Sequence, residues 1–247
     1  MNTTVNGIIL AGGDAWGEYP TKAMVPVAGV PMVCRVAQAM MDSGVVDRIV
    51  AVGPCEALRA VLPDNRITVL PQVGRLIENI GAAVDALQND DFVVCCTADA
   101  PALTPESVAD AVQAGLAAQA EAVYTFVEKS VIEKAFPGAK RTYVRLKTGR
   151  MTGGNLTMFC PKAFTRNREL LEDLMNNRKS PVKLARILGM RTLLNLALGR
   201  LTVEEGERAG HRLIGAKVFA YQSPYAEIGQ DVDRPEDVAF MEQFIKA

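Results

Sequence analysis

An aliphatic segment of this chain runs directly into a glycine pair. Val5–Leu10 (VNGIIL) has the length and composition of a buried parallel strand. Ala11, Gly12 and Gly13 follow it. Small residues at the end of a strand let the backbone turn tightly and leave amide groups that can face an anion. Lys22, on the far side of the loop, adds a positive charge, so the segment predicts a phosphate-binding loop that reaches a triphosphate.

Two other interpretations of this loop stay open. The glycines serve only chain geometry if the segment is an ordinary turn between a strand and a helix. A dinucleotide-binding loop is disfavoured, because Gly12, Gly13 and Gly17 do not form G-x-G-x-x-G. Pro20 and Pro26 would also interrupt the helix that such a loop needs.

Strand and helix patterns alternate along the chain. Strands are predicted at 47–53, 66–70, 91–97, 122–129 and 216–222, and helices at 32–43, 55–62, 76–87 and from 105. This alternation favours parallel strands covered by helices on both faces. We therefore predict a three-layer α/β/α fold with a mostly parallel sheet, in which a nucleotide binds beyond the carboxyl ends of the strands.

The pattern changes to a β-hairpin at 141–159, with a turn at 147–149 and a second strand at 155–159. Several cations lie close together in this segment, namely Arg141, Arg145, Lys147 and Arg150. Gly153, Gly154 and Asn155 are expected to offer exposed amides. The hairpin is therefore either a local anion site or a solvated basic surface.

Residues 161–213 are predicted to be helical, with caps at Ser180-Pro181 and Thr202 and a helix end at Gly189. We interpret the chain as a single domain, 1–247, with a helical insertion or subdomain at 161–213. Acceptor lid, dimer surface and plain packing all stay open as roles for this insertion.

Carboxylates follow two of the predicted elements at the expected active edge of the sheet. Asp99 comes directly after the apolar strand that ends at Thr97, and Asp231 and Asp233 precede a helix that Pro235 can start. One aspartate of the second pair is expected to cap that helix, which leaves another for a metal. Mg²⁺ takes one or two carboxylates together with substrate phosphates. A turn that holds Asp99 by its own backbone is the alternative.

Composition excludes several classes of function. The chain has 247 residues, of which 49% are hydrophobic, and a formal net charge of −1, so no general basic field for a long nucleic acid is expected. Five cysteines without C-x-x-C spacing argue against a disulfide framework and a zinc cluster, and favour a reducing cytoplasm. A single histidine disfavours a serine triad. No apolar run approaches the ~20 residues of a membrane span.

Three motifs of this chain, in this order, resemble the signature of the MobA-like nucleotidyltransferases, which transfer a nucleoside monophosphate from an NTP onto a phosphate-bearing acceptor. They are LAGG followed by K-x-x-x-P-V-x-G-x-P-M at 10–32, T-x-D-x-P-x-x-T at 97–104, and D-V-D-x-P-E-D at 231–237. The resemblance implies a Rossmann-like fold of the nucleotide-diphospho-sugar transferase type. It also implies Mg²⁺-dependent attack of an acceptor phosphate on the α-phosphorus of the NTP, with release of pyrophosphate.

The resemblance assigns expected roles to individual residues. The catalytic residues are Lys22, Asp99 and Asp233. The nucleotide is expected to contact Leu10, Ala11, Gly12, Gly13, Lys22, Gly74 and Asn79, with Arg75 beside them. The metal ligands are Asp99 and Asp233, with Asp231 as the rival of Asp233. The acceptor is expected to contact Arg141, Tyr143, Gly154 and Asn155.

The chain departs from the family signature in the variable loop before Lys22. The family carries an arginine there, whereas this chain has Asp14, Trp16 and Glu18. Two hypotheses follow: a soluble cytoplasmic enzyme that uses CTP or GTP and a small phosphorylated acceptor, or a nucleotide-binding regulator of the same fold without turnover. A homodimer is compatible with both, and neither nucleic acid nor a membrane is an expected partner.

Overall fold

The computed structural model of the chain describes residues 4–88, 92–177, 183, 187 and 189–246. The strands in these residues are β1 Val5–Leu10, β2 Pro26–Val27, β3 Val30–Pro31, β4 Val46–Val52, β5 Ile67–Leu70, β6 Val93–Thr97, β7 Ala122–Glu128, β8 Val144–Leu146, β9 Gly149–Phe159 and β10 Val218–Ser223. The α-helices are Met32–Asp42, Cys55–Val61, Leu76–Leu87, Pro105–Ala117, Lys129–Ala135, Pro161–Arg166, Arg168–Asn177, Met190–Ala197, Val203–Ile214 and Pro235–Met241. Short 3₁₀ helices are formed by Lys22–Met24 and Ala226–Gly229.

One sheet carries the site. Its strand order is β10-β7-β9-β6-β1-β4-β5, and β8 pairs with β9 outside this path. The pairs β1/β4, β1/β6, β4/β5 and β7/β10 are parallel. Among the described strands of this path, β9 lies antiparallel between β6 and β7, and β8 is antiparallel to β9. The predicted mostly parallel sheet is confirmed, and β1 and β6 bring their carboxyl ends to the same edge.

Helices cover both faces of the sheet, which confirms the three-layer arrangement. Alternate residues of β1 belong to separate cores: Ile9 packs with the helices Met32–Asp42 and Pro105–Ala117, and Ile8 packs with the helix Leu76–Leu87. Alternate residues of β6 also belong to the two cores, and the strand is buried from Val93 through Cys96. A central strand buried on both faces reads as a continuous apolar run, as this one does.

Most predicted elements are present with small shifts at their ends. Strand β1 and the helix Leu76–Leu87 have the predicted bounds. The other predicted strands outside the hairpin and the predicted helices up to residue 117 differ by one or two residues, and residue 91 lies outside the described residues. Pro31 directly precedes the first helix as its N-cap. The helix Lys129–Ala135 was not predicted, because no typical capping residue precedes it. In the structure its N-cap residue is Glu128, whose side chain makes no capping hydrogen bond.

The hairpin is longer than predicted. Its second strand starts at Gly149, not at Asn155, and forms part of the main sheet. Gly153 lies opposite Phe126 of β7 in that sheet, whereas the prediction placed it before the second strand. Glycine in a strand often marks close approach of a neighbour. A Cβ on Gly153 would lie 2.3 Å from the hydroxyl of Tyr124, so tertiary packing overrides the weak strand propensity.

The described part of 161–213 is helical apart from short connections. Thr202 caps the helix Val203–Ile214 as predicted, because its hydroxyl accepts a hydrogen bond from the amide of Glu205. Gly189 directly precedes the helix Met190–Ala197. The predicted cap at Ser180-Pro181 lies outside the described residues, and the division of the chain into a domain with an insertion stays a proposal.

Among the described residues, none of the helices combines the length and the apolar character that a membrane crossing requires. Cys34, Cys55, Cys95 and Cys96 are free thiols.

Candidate active site

The glycine loop after β1 is held by its neighbours on the sheet. The amide of Ala11 continues the strand pairing by donating to the carbonyl of Val52 (2.9 Å). The amide of Gly13 donates to Oε1 of Gln72 (2.7 Å), a residue that follows β5. Gly13 has φ +121°, a backbone conformation that favours glycine. At Gly12 the requirement differs, because an added Cβ would lie 2.2 Å from the Gln72 oxygen.

The buried hydroxyl of Thr21 connects the 3₁₀ turn that carries Lys22 to the glycine loop. Thr21 is fully buried, and its Oγ1 donates to the carbonyl of Ala11 (3.0 Å). The same oxygen accepts from the amide of Ala23 (3.1 Å) and so caps the 3₁₀ helix Lys22–Met24. The backbone of Lys22 is thereby fixed relative to the end of β1, while its side chain extends toward the edge of the sheet.

The side chain of Lys22 bridges the two predicted catalytic carboxylates. Its Nζ lies 2.6 Å from Oδ2 of Asp99 and 2.8 Å from Oδ1 of Asp233. Burial of the ammonium lowers its pKa, but Asp99 and Asp233 together outweigh that effect, so the pKa of Lys22 lies above its ordinary value. Three residues more than 70 positions apart thus meet, as the sequence predicts for Lys22, Asp99 and Asp233.

Backbone contacts position both carboxylates. Asp99 follows β6, and its carbonyl accepts a hydrogen bond from the amide of Val232 (2.9 Å), which joins the two acidic segments. The helix Pro235–Met241 is capped by Asp237, whose Oδ2 accepts from the amides of Asp233 (3.0 Å) and Arg234 (2.9 Å). The expectation that Asp231 or Asp233 caps this helix is therefore wrong, and the carboxylate of Asp233 is left for Lys22.

Asp231 has a different partner from Asp233. Its Oδ1 forms an ion pair with Nη1 of Arg141, and both side chains are largely buried. Burial lowers the pKa of Arg141, although Asp233 and Asp99 oppose that shift. The two candidate metal ligands therefore have different partners. Asp233 lies with Asp99 at the ammonium of Lys22, whereas Asp231 orients Arg141, a predicted acceptor-binding residue.

The two carboxylates fit a hard divalent cation. One ammonium contacts both of them, so an oxygen of each can reach one small ion. Oδ1 of Asp99 is buried without a hydrogen-bond partner among the described residues, which leaves a ligand atom available. In the same part of the chain no group of three or more His, Cys, Asp or Glu could hold a metal. This suits Mg²⁺, which takes one or two carboxylates plus substrate phosphates, better than a metal that needs a full protein cage.

A cavity of about 450 Å³ lies on one side of Lys22 and Asp99. Its walls include most of the residues predicted to contact the nucleotide, namely Leu10, Gly12, Gly13, Gly74, Arg75 and Asn79. Ala11 is buried behind the loop. Thr97 also lines it, and its buried Oγ1 has no partner among the described residues.

Asn79 holds the wall of this cavity together. It is 8% exposed, and its Oδ1 accepts from the amides of Val73 (2.9 Å) and Gly74 (3.3 Å). Its Nδ2 donates to the carbonyl of Gly74 (3.1 Å). At Gly74 an added Cβ would lie 2.1 Å from the carboxylate of Glu78, so that carboxylate would have to move from the amide of Arg75, to which it is hydrogen-bonded. The observed role of Asn79 is to shape the loop, and its contact with a base stays a prediction.

A second cavity, of about 880 Å³, lies on the other side, beyond Asp233. Arg141, Tyr143 and Gly154 line it, as predicted for an acceptor site. Tyr143 has a buried hydroxyl without a partner among the described residues, and burial raises its pKa. Nε of Arg141 is likewise buried and unpaired in the described part. Asn155 instead donates to the carbonyl of Ile228 (3.2 Å), which joins β9 to a 3₁₀ turn.

The variable loop without the arginine folds into a tight turn. Trp16 and Tyr19 exchange two backbone hydrogen bonds of 2.9 and 3.1 Å, and Gly17 between them has φ +59°. Both aromatic rings pack partly against the core. Asp14 and Glu18 are exposed on this turn.

Several residues of the candidate site were not predicted from the sequence. Gln72 carries no local signal, because its contact with Gly13 depends on the pairing of β1 and β5 through β4. The cap by Asp237 was visible in principle, since an acid at the third helical position is a known start signal. Thr97 belongs to the quoted T-x-D motif, but only its unpaired hydroxyl in the structure marks it as a candidate ligand contact.

The sequence of the chain matches a known protein family. Residues 7–201 match the MobA-like NTP transferase domain family. The chain belongs to this family. The resemblance seen in the sequence is confirmed, and the protein is thereby assigned to the nucleotidyltransferases.

Similar proteins cover the chain to different extents. A 2-C-methyl-D-erythritol 4-phosphate cytidylyltransferase of Rhodococcus jostii (strain RHA1) is 32% identical over 99 residues, which are 39% of this chain and 43% of that protein. The chain therefore matches less than half the length of this curated relative. A hypothetical transferase from Thermus thermophilus is 36% identical, with 96% of this chain and 100% of that chain covered and a TM-score of 0.84.

The fold extends to a more distant structure. A CMP:2-keto-3-deoxy-manno-octonic acid synthetase, solved in complex with CTP, is 14% identical. Its TM-score is 0.62, with 98% of this chain and 100% of that chain covered. At this identity the likeness shows the fold alone. It confirms the predicted nucleotide-diphospho-sugar transferase type of architecture.

Proposed function

We propose that this member of the MobA-like NTP transferase family transfers CMP from CTP to a small phosphorylated acceptor and releases pyrophosphate. The observation that carries the proposal is the meeting of two cavities at Lys22, Asp99 and Asp233. A phosphoryl-type transfer between two substrates needs such a junction, because donor and acceptor must be held in line with each other.

The residues on the first side are suited to the triphosphate. The loop at Gly12 and Gly13 allows close approach of phosphates, and Lys22 supplies a positive charge at the junction. On the second side, Arg141 and Tyr143 present buried, unpaired donor groups to an acceptor phosphate. An acceptor phosphate oxygen attacks the α-phosphorus and forms a new P–O bond. The bond from that phosphorus to the β-phosphate bridging oxygen breaks, and pyrophosphate carries away its electron pair.

Asp99 and Asp233 are the residues that would hold Mg²⁺. Bound there, the ion would supply electrostatic neutralisation of the phosphates. Asp99 is 19% exposed and fixed by the backbone contact with Val232, so it would be the less solvent-exposed ligand. Asp233 is 65% exposed and would be the more exposed one.

The choice of CTP is supported by names among the related proteins. The curated relative that covers 39% of the chain is a cytidylyltransferase, and the fold relative was solved with CTP. GTP is the competing nucleotide within the family. The acceptor class is inferred from the cationic and phenolic donors of the second cavity, and a polyol or sugar phosphate fits this chemistry.

The decisive experiment measures pyrophosphate release with each of the four NTPs, Mg²⁺ and a panel of phosphorylated polyols and sugars. Binding calorimetry of each NTP with and without Mg²⁺ accompanies it. We expect Mg²⁺-dependent selectivity for CTP and pyrophosphate release with one acceptor class. Selective use of GTP would overturn the choice of nucleotide, and absence of NTP binding would overturn the triphosphate site itself.

A second candidate function rests on the variable loop. Asp14 and Glu18 are exposed where the family carries an arginine, and their charges would repel phosphates. A regulator that binds nucleotide without turnover would have this feature. Mg²⁺-dependent NTP binding without pyrophosphate release for any acceptor would favour it. A cytoplasmic location and a homodimer stay predictions for either candidate.

A further inference from the structure

One positive charge lies where a divalent cation would bind. The ammonium of Lys22 contacts both carboxylates, at 2.6 Å from Asp99 and 2.8 Å from Asp233. The other oxygen of Asp99 is buried and has no hydrogen-bond partner among the described residues. Among the described residues, the two predicted metal ligands therefore share one contacting ammonium, and Arg141 also interacts electrostatically with both carboxylates.

An ammonium and a metal ion are alternatives at this position. Mg²⁺ binds carboxylate oxygens at about 2.0–2.1 Å, so an ion that binds Oδ2 of Asp99 and Oδ1 of Asp233, the two oxygens that Nζ contacts, would need the space that Nζ occupies. Two cations at such a separation also repel each other strongly in a partly buried site. Binding of the ion therefore requires that Lys22 leaves at least one carboxylate.

Lys22 has a second anionic position within its reach. Its side chain lines the nucleotide cavity together with Gly12 and Gly13, where a triphosphate is expected. A lysine carries its charge on a flexible four-carbon stem. The backbone of Lys22 is held by the buried hydroxyl of Thr21, so rotation of the side chain alone can move the charge between positions.

We propose that Lys22 holds the place of the divalent cation in the ligand-free protein and passes its ammonium to the triphosphate when cation and nucleotide bind. The two carboxylates stay neutralised and close together in both states. The cation binds poorly alone, because it must displace Lys22 without giving it a new partner. Cation and nucleotide therefore enter cooperatively, and this inference rests on the proposed nucleotidyl transfer.

Removal of the ammonium has a defined consequence. Lys22→Met leaves Asp99 and Asp233 without their shared counter-charge, so the cation no longer competes with it. The affinity for the cation alone should rise by about tenfold or more, since one charge contact in a partly buried site exceeds about 1.4 kcal/mol. Coupling between two ligands is reciprocal, so the variant should also lose the increase in cation affinity that nucleotide gives the wild type.

The experiment titrates Mn²⁺, a paramagnetic substitute for Mg²⁺, into the full-length protein without nucleotide and measures free Mn²⁺ by electron paramagnetic resonance. The proteins compared are the wild type, Lys22→Met, the double variant Lys22→Met with Asp99→Asn, and Lys134→Met. Lys134 is an exposed lysine that lines neither cavity, so its variant controls for the loss of one positive charge. We expect tight binding in Lys22→Met, weak binding in the other three, and loss of the gain in the double variant.

Equal or weaker Mn²⁺ binding by a folded Lys22→Met variant would overturn the proposal. Retention of the gain in the double variant would also overturn it, because the ion would then bind elsewhere. Thermal unfolding checks each variant, and Lys22→Gln replaces Lys22→Met if the latter does not fold. The readout uses neither nucleotide nor acceptor, so its failure is distinguishable from failure of CMP transfer to appear with CTP.

Discussion

The two cavities of the site are built in different ways. The nucleotide side is formed mainly by main-chain geometry, with Gly12, Gly13 and Gly74 in places where a side chain would collide or strain the backbone. The acceptor side is formed by charged and phenolic side chains, above all the buried pair of Arg141 and Asp231. A cavity shaped by main-chain geometry is suited to binding a group that many ligands share, such as a triphosphate. Side-chain sites suit discrimination between acceptors.

The variant Asp99→Asn should have the largest effect, because Asp99 lines the proposed nucleotide cavity and is bridged by Lys22 to Asp233, which lines the proposed acceptor cavity. The amide keeps the shape of the side chain but removes the negative charge that holds Lys22 and would hold the cation. Loss of one preorganised electrostatic contact costs roughly 10²- to 10³-fold in kcat. Pyrophosphate release measures the effect, and thermal unfolding tests whether the variant folds. Unchanged turnover would remove Asp99 from the site.

Arg141→Ala should affect the acceptor side alone. It removes a guanidinium from the acceptor cavity and leaves the carboxylate of Asp231 buried without its partner. Breaking a buried pair in this way costs about 3 kcal/mol of the free energy of unfolding. We expect KM for the acceptor to rise about tenfold or more, as loss of a charge-assisted contact implies. The affinity for CTP, measured by calorimetry, should stay the same.

The double variant Arg141→Ala with Asp231→Ala separates stability from recognition. Removing both members of the pair should recover much of the lost stability, because no charge is then left buried alone. KM for the acceptor should stay high. If stability and KM recover together, Arg141 acts through the fold and does not contact the acceptor.

The glycine pair allows a matched test on the nucleotide side. Gly12→Ala should weaken CTP binding by about tenfold, because the new Cβ would lie 2.2 Å from Oε1 of Gln72 and must displace the loop. Gly13→Ala should also be impaired, through backbone strain of about 1–3 kcal/mol at φ +121°, with no atom within 4 Å of the added Cβ. Calorimetry of CTP binding compares the two variants.

Rescue distinguishes the two causes. A second substitution, Gln72→Ala, removes the oxygen that the new methyl group would meet. It should therefore raise CTP binding by Gly12→Ala to the level of Gln72→Ala alone, which itself lacks the hydrogen bond to the Gly13 amide, and leave Gly13→Ala impaired. Equal rescue of both variants would contradict the assignment of separate causes.

The same contrast explains what the sequence could predict. The meeting of Lys22, Asp99 and Asp233 could be predicted because each follows a local pattern, a strand end or a helix start, and parallel strands bring such positions to one edge, whereas their catalytic roles stay predictions. The sequence did not predict the long-range contacts that distinguish Asp231 from its neighbour Asp233. The ion pair of Asp231 with Arg141 joins residues 90 positions apart, and nothing near either residue announces it.

Long-range packing also explains the misjudged elements. The second hairpin strand begins at Gly149, although Gly153 and Gly154 within it have weak strand propensity. Their lack of a side chain lets β9 lie against Thr125 and Tyr124 of β7, a fact that belongs to the neighbouring strand. Elements with a strong period of their own, such as β1 and the helix Leu76–Leu87, were predicted with the correct bounds.

Asn79 gives the smallest expected effect and the sharpest test of how the nucleotide side works. The structure shows its side chain bonded to the main chain of Val73 and Gly74, whereas the family resemblance predicts contact with the base. If the observed contacts are its whole role, Asn79→Ala should lower the free energy of unfolding by about 1–2 kcal/mol. CTP and GTP affinities should then fall by the same small factor.

Asn79→Asp separates the two roles further. The carboxylate keeps an acceptor for the amides of Val73 and Gly74 but cannot donate to the carbonyl of Gly74. A role in shaping the loop predicts a stability between those of the wild type and Asn79→Ala, with the ratio of CTP to GTP affinity unchanged. A role in base contact predicts that the ratio changes while stability does not, because a site built around a hydrogen bond rejects a partner that lacks it. Thermal unfolding and paired calorimetric titrations of the two nucleotides distinguish these outcomes, and a changed ratio would move the nucleotide side from main-chain recognition toward the side-chain recognition of the acceptor cavity.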